Sequence, residues 1–173
     1  MGLFSRKTWL AMAGVLVVGV VAGAGVWTSR CPCDRTPGAY LLGTMVDEPV
    51  TDWQFANDVP SCQIQISANG LPHAINVTCM ATADGRLFLS CSTCEGKYWS
   101  SHVEPGEPAR LRLNGRVYPV ELNRVTDQAT LDQAWSARVA KLQAHPAGVG
   151  TTPAAGAPRP ETWWSFHARS RTS

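Results

Sequence analysis

The chain is poor in charge and lacks the sequence motifs of the common enzyme classes. Only 16% of its 173 residues are charged, and the formal net charge is +2. No stripe of Lys and Arg with interleaved aromatic residues is present, so we expect no nucleic-acid partner. A nucleophile elbow, a Walker loop, a Rossmann glycine pattern and paired catalytic carboxylates are also missing. The hydrolase, nucleoside-triphosphate and dinucleotide sites that these motifs build are therefore not predicted.

Metal-ligand spacing is lacking among the histidines. The four histidines are His73, His102, His145 and His167. They are spread along the chain without an H-x-x-x-H pattern, and we predict no metal site from them. A shell of four thiolates from the Cys31-Pro32-Cys33 and Cys91–Cys94 pairs stays open as an alternative, because four thiolates form a tetrahedral zinc or iron–sulfur site.

A long run without charge stands near the N-terminus. Residues Thr8–Val26 are rich in Val, Ala and Gly and are numerous enough to cross the hydrocarbon core of a bilayer as a helix. Trp9 and Trp27 stand at its ends, where amphipathic rings prefer the membrane interface. Arg6 and Lys7 precede the run, which predicts a single-pass anchor with its N-terminus inside and the rest of the chain outside the cytoplasm. In a Gram-negative cell that compartment is the periplasm.

A cleaved signal peptide is the alternative for this segment. The small residues Ala22-Gly23-Ala24 would then form its cleavage site. The length of the apolar run and its flanking tryptophans favour a retained anchor.

Alternating apolar and polar residues predict a first group of strands. Cys62–Ser67 and Ala74–Met80 alternate with a period of two and are joined by Asn69-Gly70, a strong hairpin signal. Asp84-Gly85 supplies the next turn and leads into Arg86–Cys91. These three segments predict an antiparallel meander.

A second hairpin and a last strand are predicted further along the chain. Ala109–Leu113 and Arg116–Val125 alternate on either side of Asn114-Gly115. The aromatic segment Glu161–Arg171 predicts a final strand. Before the meander, Tyr40–Val46 is predicted to be a short strand or a segment that packs on the barrel, and Asp52–Asp58 one helical turn or a loop over the core.

One helix is predicted between the second hairpin and the last strand. Thr126 or Asp127 would cap it, and it would run to about Gln143. Its apolar residues recur at helical spacing and form one stripe, made of Leu131, Ala134, Trp135, Val139 and Leu142. Strands in sequential hairpins with one late helix predict a mainly β protein, a small antiparallel split β-barrel preceded by an N-terminal transmembrane helix.

The predicted elements divide the chain into three parts. Residues 1–28 would be the membrane anchor or signal peptide, 29–60 a tether and lead-in, and 61–173 the split β-barrel domain. Within the last part, 145–158 is rich in Gly, Ala, Pro and Thr and is predicted to be a flexible loop.

The six cysteines are an even set in a segment predicted to face an oxidising compartment, so we expect disulfides. Cys62 and Cys79 lie on neighbouring predicted strands, which makes a bridge between them one possible pairing. Cys91 and Cys94 have the C-x-x-C spacing of thiol oxidoreductases, so a thiol-redox role for this pair is one alternative and a structural disulfide is another.

The bend after the third strand of the meander carries groups that bind anions. Ser92 and Thr93 offer hydroxyls, and Lys97 follows a glycine and offers an ammonium group. Tyr98-Trp99 ends the bend with two aromatic rings. A hydroxyl-rich, cationic bend beside aromatic rings suits a ligand with a phosphate and a flat ring, although a solvated surface loop has the same composition.

The order of these motifs resembles the pyridoxamine-phosphate-oxidase-like split β-barrel superfamily, which includes the deazaflavin-dependent reductases. In that superfamily two strands joined by a glycine turn precede a Ser/Thr and Lys loop, a hairpin and a closing helix. The corresponding stretches here are Asp84–Leu89, Ser92–Lys97, Ala109–Leu113, Arg116–Val120 and Asp127–Leu142. The likeness covers about Ser61 to Leu142.

The resemblance implies a phosphate-bearing flavin-type cofactor, either FMN or the deazaflavin F420, and a homodimer with the ring between its subunits. The cofactor-binding residues that it implies are Asn76, Thr78, Ser90, Ser92, Thr93, Lys97 and Trp99. Of these, Lys97 with the hydroxyls of its loop would hold the phosphate, and the strand residues would face the ring or the ribityl chain. Trp163 or Trp164 would cover the ring. Apart from the resemblance, His73 and His102 flank the central hairpin, where they would either touch a bound ring or be ordinary surface residues.

The resemblance thus implies a membrane-anchored, extracytoplasmic oxidoreductase in which the cofactor carries the hydride. No catalytic residue is assigned, since the cofactor performs the chemistry. A disulfide-stabilised binding module of the same fold, without enzymatic activity, is the alternative.

Overall fold

The computed structural model describes residues 6–146 and 152–172. Its centre is a closed antiparallel barrel of six strands, accompanied by two helices. The barrel strands are β2 (Cys62–Ala68), β3 (Leu71–Ala81), β4 (Leu87–Cys91), β5 (Glu107–Leu113), β6 (Arg116–Arg124) and β7 (Trp164–Ser170). The helices are α1 (Arg6–Arg30) and α2 (Gln128–Ala144). The prediction of a mainly β barrel with a late helix is confirmed.

The strands follow the order β6-β5-β2-β3-β4-β7, and pairing between β6 and β7 closes the barrel. β7 lies between two strands, with Ala168 opposite Leu87 of β4 and also in register with Leu122 of β6. A two-residue strand, β1 (Thr44–Met45), is added outside the barrel, parallel to β6. The barrel therefore has no free edge between β4 and β6.

Tight turns at the predicted Asn-Gly pairs set the register of two hairpins. Asn69 and Asn114 have φ angles of 52° and 48°, and the glycines that follow them have 76° in both turns. Two successive positive φ angles define the hairpin turn whose twist matches that of the strands. At the third turn only Gly85 has a positive φ, so Asp84-Gly85 forms a longer connection than the pattern predicts.

Alternation along the strands separates the barrel interior from its outer face. The buried cluster inside the barrel includes Ile64, Val77, Leu89, Leu111 and Phe166. On the outer face, Met80 and Phe88 form a second cluster with Ala134 of α2. The helix therefore packs on the outside of β3 and β4 with the face that carries its apolar stripe.

α2 is capped and buried as predicted, with two unexpected members on its buried face. The Asp127 carboxylate accepts a hydrogen bond from the backbone N–H of Thr130 at 2.9 Å, which makes Asp127 the N-cap. Arg138 and Lys141 are each only 3% exposed. The Lys141 ammonium donates to the carbonyl of Ala56, which ties the helix to a short 3₁₀ turn at Gln54–Asp58.

The segment 31–46, here called the strap, crosses the outer face of the barrel. It begins beside β3, where Gly38 and Ala74 exchange backbone hydrogen bonds of 2.8 and 2.9 Å. It then passes β2 and ends at β6, where β1 pairs with Arg116 and Val117. Tyr40–Val46, predicted as a short strand or a segment packing on the barrel, is a segment against the barrel in which only the two residues of β1 form a strand.

α1 is an apolar helix whose described side chains do not pack on the barrel. The stretch Thr8–Thr28 is long and apolar enough to cross a membrane, and none of its most hydrophobic window is buried. A signal sequence has the same length and composition. The predicted loop at 145–158 falls partly on 147–151, which lie outside the described residues.

All six cysteines form disulfides: Cys31–Cys33, Cys62–Cys79 and Cys91–Cys94. Cys62–Cys79 is the cross-strand bridge that the strand assignment allowed, joining β2 to β3. Because every cysteine sulfur is paired, the four-thiolate metal shell is not formed.

Candidate functional site

A cavity of about 350 Å³ lies on the outer face of β3 and β4. Thr78 and Ser90 stand directly opposite each other in neighbouring strands and are 3% and 4% exposed. Their hydroxyls face the cavity because their neighbours along the strands, such as Val77 and Leu89, belong to the interior cluster. Asn76, two residues before Thr78, extends the same polar row.

Arg138 of α2 covers this row with a buried guanidinium group. Its Nη1 donates to the Ser90 hydroxyl at 2.5 Å, and its Cζ lies 3.9 Å from the centre of the Trp163 ring. Its Nε is buried and has no hydrogen-bond partner among the described residues. Burial lowers the pKa of Arg138 to about 10, since the charged form loses hydration that no carboxylate replaces.

Lys97 brings a second positive charge to the same cavity. Burial, and the repulsion of Arg138, lower the pKa of the Lys97 ammonium. In the described ranges no carboxylate lines the cavity, and neither cation belongs to an ion pair. Two cations in one cleft without a carboxylate partner create a site for an anion.

The loop from Cys91 to Trp99 is held in shape from the barrel interior. The backbone N–H of Lys97 donates to the carbonyl of Cys94 at 3.1 Å. The Ser100 hydroxyl donates to that same carbonyl at 2.6 Å. Cys94 is fully buried in the interior cluster and is joined to Cys91 at the end of β4. The disulfide therefore fixes the bend that brings Lys97 to the cavity.

Two tryptophans form the aromatic walls of the cavity. Trp99 is 5% exposed and lies 5.0 Å from Phe166 between ring centres. Trp163 packs edge-on against Trp135 of α2 at 5.4 Å. Because Trp163 contacts both α2 and the Arg138 guanidinium, the segment before β7 completes the site.

The structure brings together six of the seven residues predicted to bind a cofactor. Those that line the cavity are Asn76, Thr78, Ser90, Ser92, Lys97 and Trp99. Thr93 does not line it: this residue is exposed and has a φ of 48°, which turns the chain at the tip of the loop. Whether the six residues bind a cofactor stays a prediction.

Three other predicted contacts fall outside the cavity. His73 and His102 lie against the exposed Tyr98, with ring-centre distances of 4.9 and 4.4 Å. Burial and the nearby His102 lower the pKa of His73, but neither histidine lines the cavity. Trp164 is covered by the Arg124 guanidinium at 3.4 Å, and of the two tryptophans only Trp163 lines the cavity.

Arg138 is the residue that the sequence analysis missed. The only available signal was its position, three residues after Trp135 and one before Val139 on the apolar stripe of α2. An arginine at such a position is usually assigned to the edge of the stripe with its head in water.

A larger groove of about 610 Å³ lies between the β3–β4 turn and α2. Its charged groups already have partners, because Arg86 pairs with Asp84 at 2.8 Å and also donates to Gln133. The smaller cavity has the unpaired cations and the buried hydroxyls, and we therefore take it as the candidate site.

No model of a known protein family matches the chain, and no curated protein matches it. Among solved structures, the chain is similar to one described as the FAD binding protein from Mycobacterium smegmatis. The identity is 12%, the match covers 73% of this chain and 99% of that chain, and the TM-score is 0.40. The cavity, and not this similarity, supports the function proposed below.

Proposed function

We propose that the chain is a membrane-anchored, extracytoplasmic split-barrel protein that binds a flavin-type cofactor in the cavity between Lys97 and Arg138 and serves in a redox reaction. The observation that carries this proposal is the buried Arg138 guanidinium, which faces Lys97 without a carboxylate partner in the described residues. Leaving a charge buried and unpaired destabilises a fold, and a ligand of opposite charge would remove that cost. A phosphate-bearing ligand supplies it.

The residues present fit such a cofactor. Lys97, Arg138 and the Ser92 hydroxyl provide cations and a donor for a phosphate. Asn76 and Thr78 provide side-chain hydrogen-bonding groups for a polar chain or for the edge of a ring. The volume of about 350 Å³ falls within the ordinary range of small-molecule sites, about 300–1,000 Å³. FMN and F420 both carry a phosphate and a flat ring, and so does FAD, which is therefore included in the binding test.

The aromatic walls suit the ring of this cofactor class. Trp99 and Trp163 line the cavity and provide apolar aromatic surface beside the cations. A bound flavin-type cofactor would supply hydride transfer, and the chain would supply binding, orientation and charge. We assign no acid or base among the cavity residues.

Two features support a location outside the cytoplasm. Three disulfides are typical of an oxidising compartment, and the apolar α1 fits a membrane anchor. The split β-barrel superfamily has the same architecture, a closed antiparallel barrel with a helix packed against it, which supports the proposal at the level of the fold.

The direct test is ligand binding by the full chain purified in detergent. We expect the visible spectrum of the isolated protein, or its spectrum after adding FMN, F420 or FAD, to show a bound cofactor. Arg138→Met and Lys97→Ala should each weaken binding by at least about tenfold, because a charge-assisted hydrogen bond contributes about 1.5–3 kcal/mol. Inorganic phosphate should compete with the cofactor.

Matched controls separate the site from a general loss of charge. Arg124→Met removes an arginine that also covers a tryptophan, but outside the cavity. Arg116→Ala removes an exposed charge from the β5–β6 turn. Both variants should bind as the parent does. Unchanged affinity in Arg138→Met and Lys97→Ala would refute the assignment of the cavity.

The same spectrum separates the enzyme from a binding module of the same fold. A protein that binds inorganic phosphate but none of the three cofactors would support the module. The thiol-redox alternative has less support, because Cys91 and Cys94 are only 7% and 0% exposed within the interior cluster.

A further inference from the structure

The last turn of α1 is attached to the strap at several points. The indole N–H of Trp27 donates to the carbonyl of Pro37 at 3.1 Å, and the backbone N–H of Cys31 donates to the carbonyl of Trp27 at 2.9 Å. Cys31 is bonded to Cys33, and Cys33 exchanges backbone hydrogen bonds of 3.1 and 2.9 Å with Thr36. The chain after the helix is therefore a folded turn and not a free linker.

The same turn is attached to the wall of the candidate cavity. The Asn76 side chain, which lines the cavity, donates to the carbonyl of Asp34 at 3.0 Å. Gln63, opposite Asn76 on β2, donates to the carbonyl of Pro32 at 3.0 Å. The end of α1 and the cavity wall are thus linked through one set of hydrogen bonds.

These contacts limit the distance from the apolar span to the cavity. The span ends at Thr28, and the helix continues to Arg30. Three residues at about 1.5 Å each lead from Thr28 to Cys31. The Cα atoms of Cys31 and Cys33 are 4.5 Å apart. Adding one Cα–Cα step of about 3.8 Å, up to about 2.7 Å from the Asp34 Cα to its carbonyl oxygen, and the hydrogen bond of 3.0 Å from Asn76 places the cavity wall within about 19 Å of the end of the span.

Exposed side chains on the strap suit the interface of a bilayer. Arg30 and Arg35 are exposed beside the end of α1. Tyr40 and Leu42 are 49% and 56% exposed further along the strap. Basic groups attract anionic lipid phosphates, and aromatic rings prefer the headgroup level. The strap carries both kinds of group within one short segment that continues directly from the apolar helix.

We propose that the barrel docks on the bilayer surface through its strap and holds the Lys97–Arg138 cavity beside the lipid headgroups. The partner of this surface is the lipid bilayer itself. The inference rests on the proposed membrane anchor, and it goes beyond that anchor because a tethered barrel need not touch the membrane. Its consequence is that the cavity is reached from the headgroup region as well as from water.

The test uses the full chain in lipid nanodiscs made from phosphatidylethanolamine and phosphatidylglycerol. A photo-cross-linking amino acid replaces Leu42 on the strap in one sample and Thr93 on the loop beside the cavity in another. We expect both positions to label lipid. A matched variant carries a polar helical insert of about three turns between Gly25 and Val26, which lifts the barrel by about 16 Å and preserves its rotation about the helix axis. The turn from Trp27 to Pro37 stays intact in this variant.

The lifted variant should lose lipid labelling at both positions. Equal labelling with and without the insert, or labelling at neither position in the parent, would overturn the proposal. Recovery of a chain without α1, identified by the mass of the intact protein, would overturn it as well. Binding of inorganic phosphate, measured separately in detergent, should be the same in both proteins. If neither protein binds inorganic phosphate, that result would count against the proposed function and not against docking.

Discussion

Replacing Arg138 by methionine should make the ligand-free protein more stable while weakening anion binding. Methionine keeps an unbranched apolar stem at this position and removes the charged head. The pKa of about 10, compared with the usual value for arginine, means that the fold disfavours the charged group by about 3 kcal/mol at neutral pH. This cost is present throughout the physiological range, because the guanidinium stays protonated there.

Two favourable contacts of Arg138 offset part of that cost. The charge-assisted hydrogen bond to Ser90 contributes about 1.5 kcal/mol, and the stacking on Trp163 contributes about 0.5 kcal/mol. The net gain on substitution is therefore about 1 kcal/mol in the free energy of unfolding. For a chain of this size that gain raises the melting temperature by about 2–4 °C.

The assay is urea or thermal unfolding under non-reducing conditions, followed by tryptophan fluorescence, with and without inorganic phosphate. Phosphate at about a hundred times the parent's dissociation constant should stabilise the parent by about 2.7 kcal/mol and Arg138→Met, which binds at least about tenfold more weakly, by at most about 1.4 kcal/mol. Arg124→Met, the control outside the cavity, should keep the full response to phosphate. A variant at position 138 that is less stable than the parent and gains as much stability from phosphate would refute the reasoning.

Three further outcomes are expected. Burial lowers the pKa of Lys141 to about 8, so the folded state binds fewer protons than the unfolded state above that pH. The free energy of unfolding should therefore rise by up to about 3 kcal/mol as the pH increases from about 8 towards the usual lysine pKa. Urea unfolding measured across this pH range should show the rise in the parent and not in Lys141→Met. The double substitution Cys62→Ser and Cys79→Ser removes a disulfide that closes a loop with a sequence separation of 17 residues. It should lower the free energy of unfolding by about 3 kcal/mol. A decrease of less than about 1 kcal/mol would contradict the expected contribution of the disulfide. Trp163→Leu should weaken the binding of FMN more than that of inorganic phosphate, because only FMN has a ring to stack; equal losses in titrations of the two ligands would remove Trp163 from the ring site.

The strands were predictable because their signals are local. Alternation and the Asn69-Gly70 and Asn114-Gly115 turns define each hairpin within a few residues, and the structure confirms them. Errors at strand ends are small: β3 begins at Leu71 and not at Ala74, since pairing continues to the turn. The strap was not predictable, because its contacts are hydrogen bonds from side chains of distant strands.

The candidate site was predictable in its strand and loop residues but not in its helix residue. Thr78 and Ser90 follow from register, since alternation fixes which face they share. Arg138 reaches them through tertiary packing of α2, which no periodicity reveals when the residue is charged. The choice between Trp163 and Trp164 likewise depends on tertiary structure. Trp164, the first residue of β7, packs against the interior cluster, and Trp163, just before β7, lines the cavity.

The position of β7 has a consequence for biogenesis. This strand bridges β4 and β6, and its residues 164–170 come after every other element of the barrel. Closure therefore has to wait until nearly the whole barrel sequence has been synthesised. Until β7 is in place, the facing edges of β4 and β6 lack the partner strand that completes their backbone hydrogen bonds.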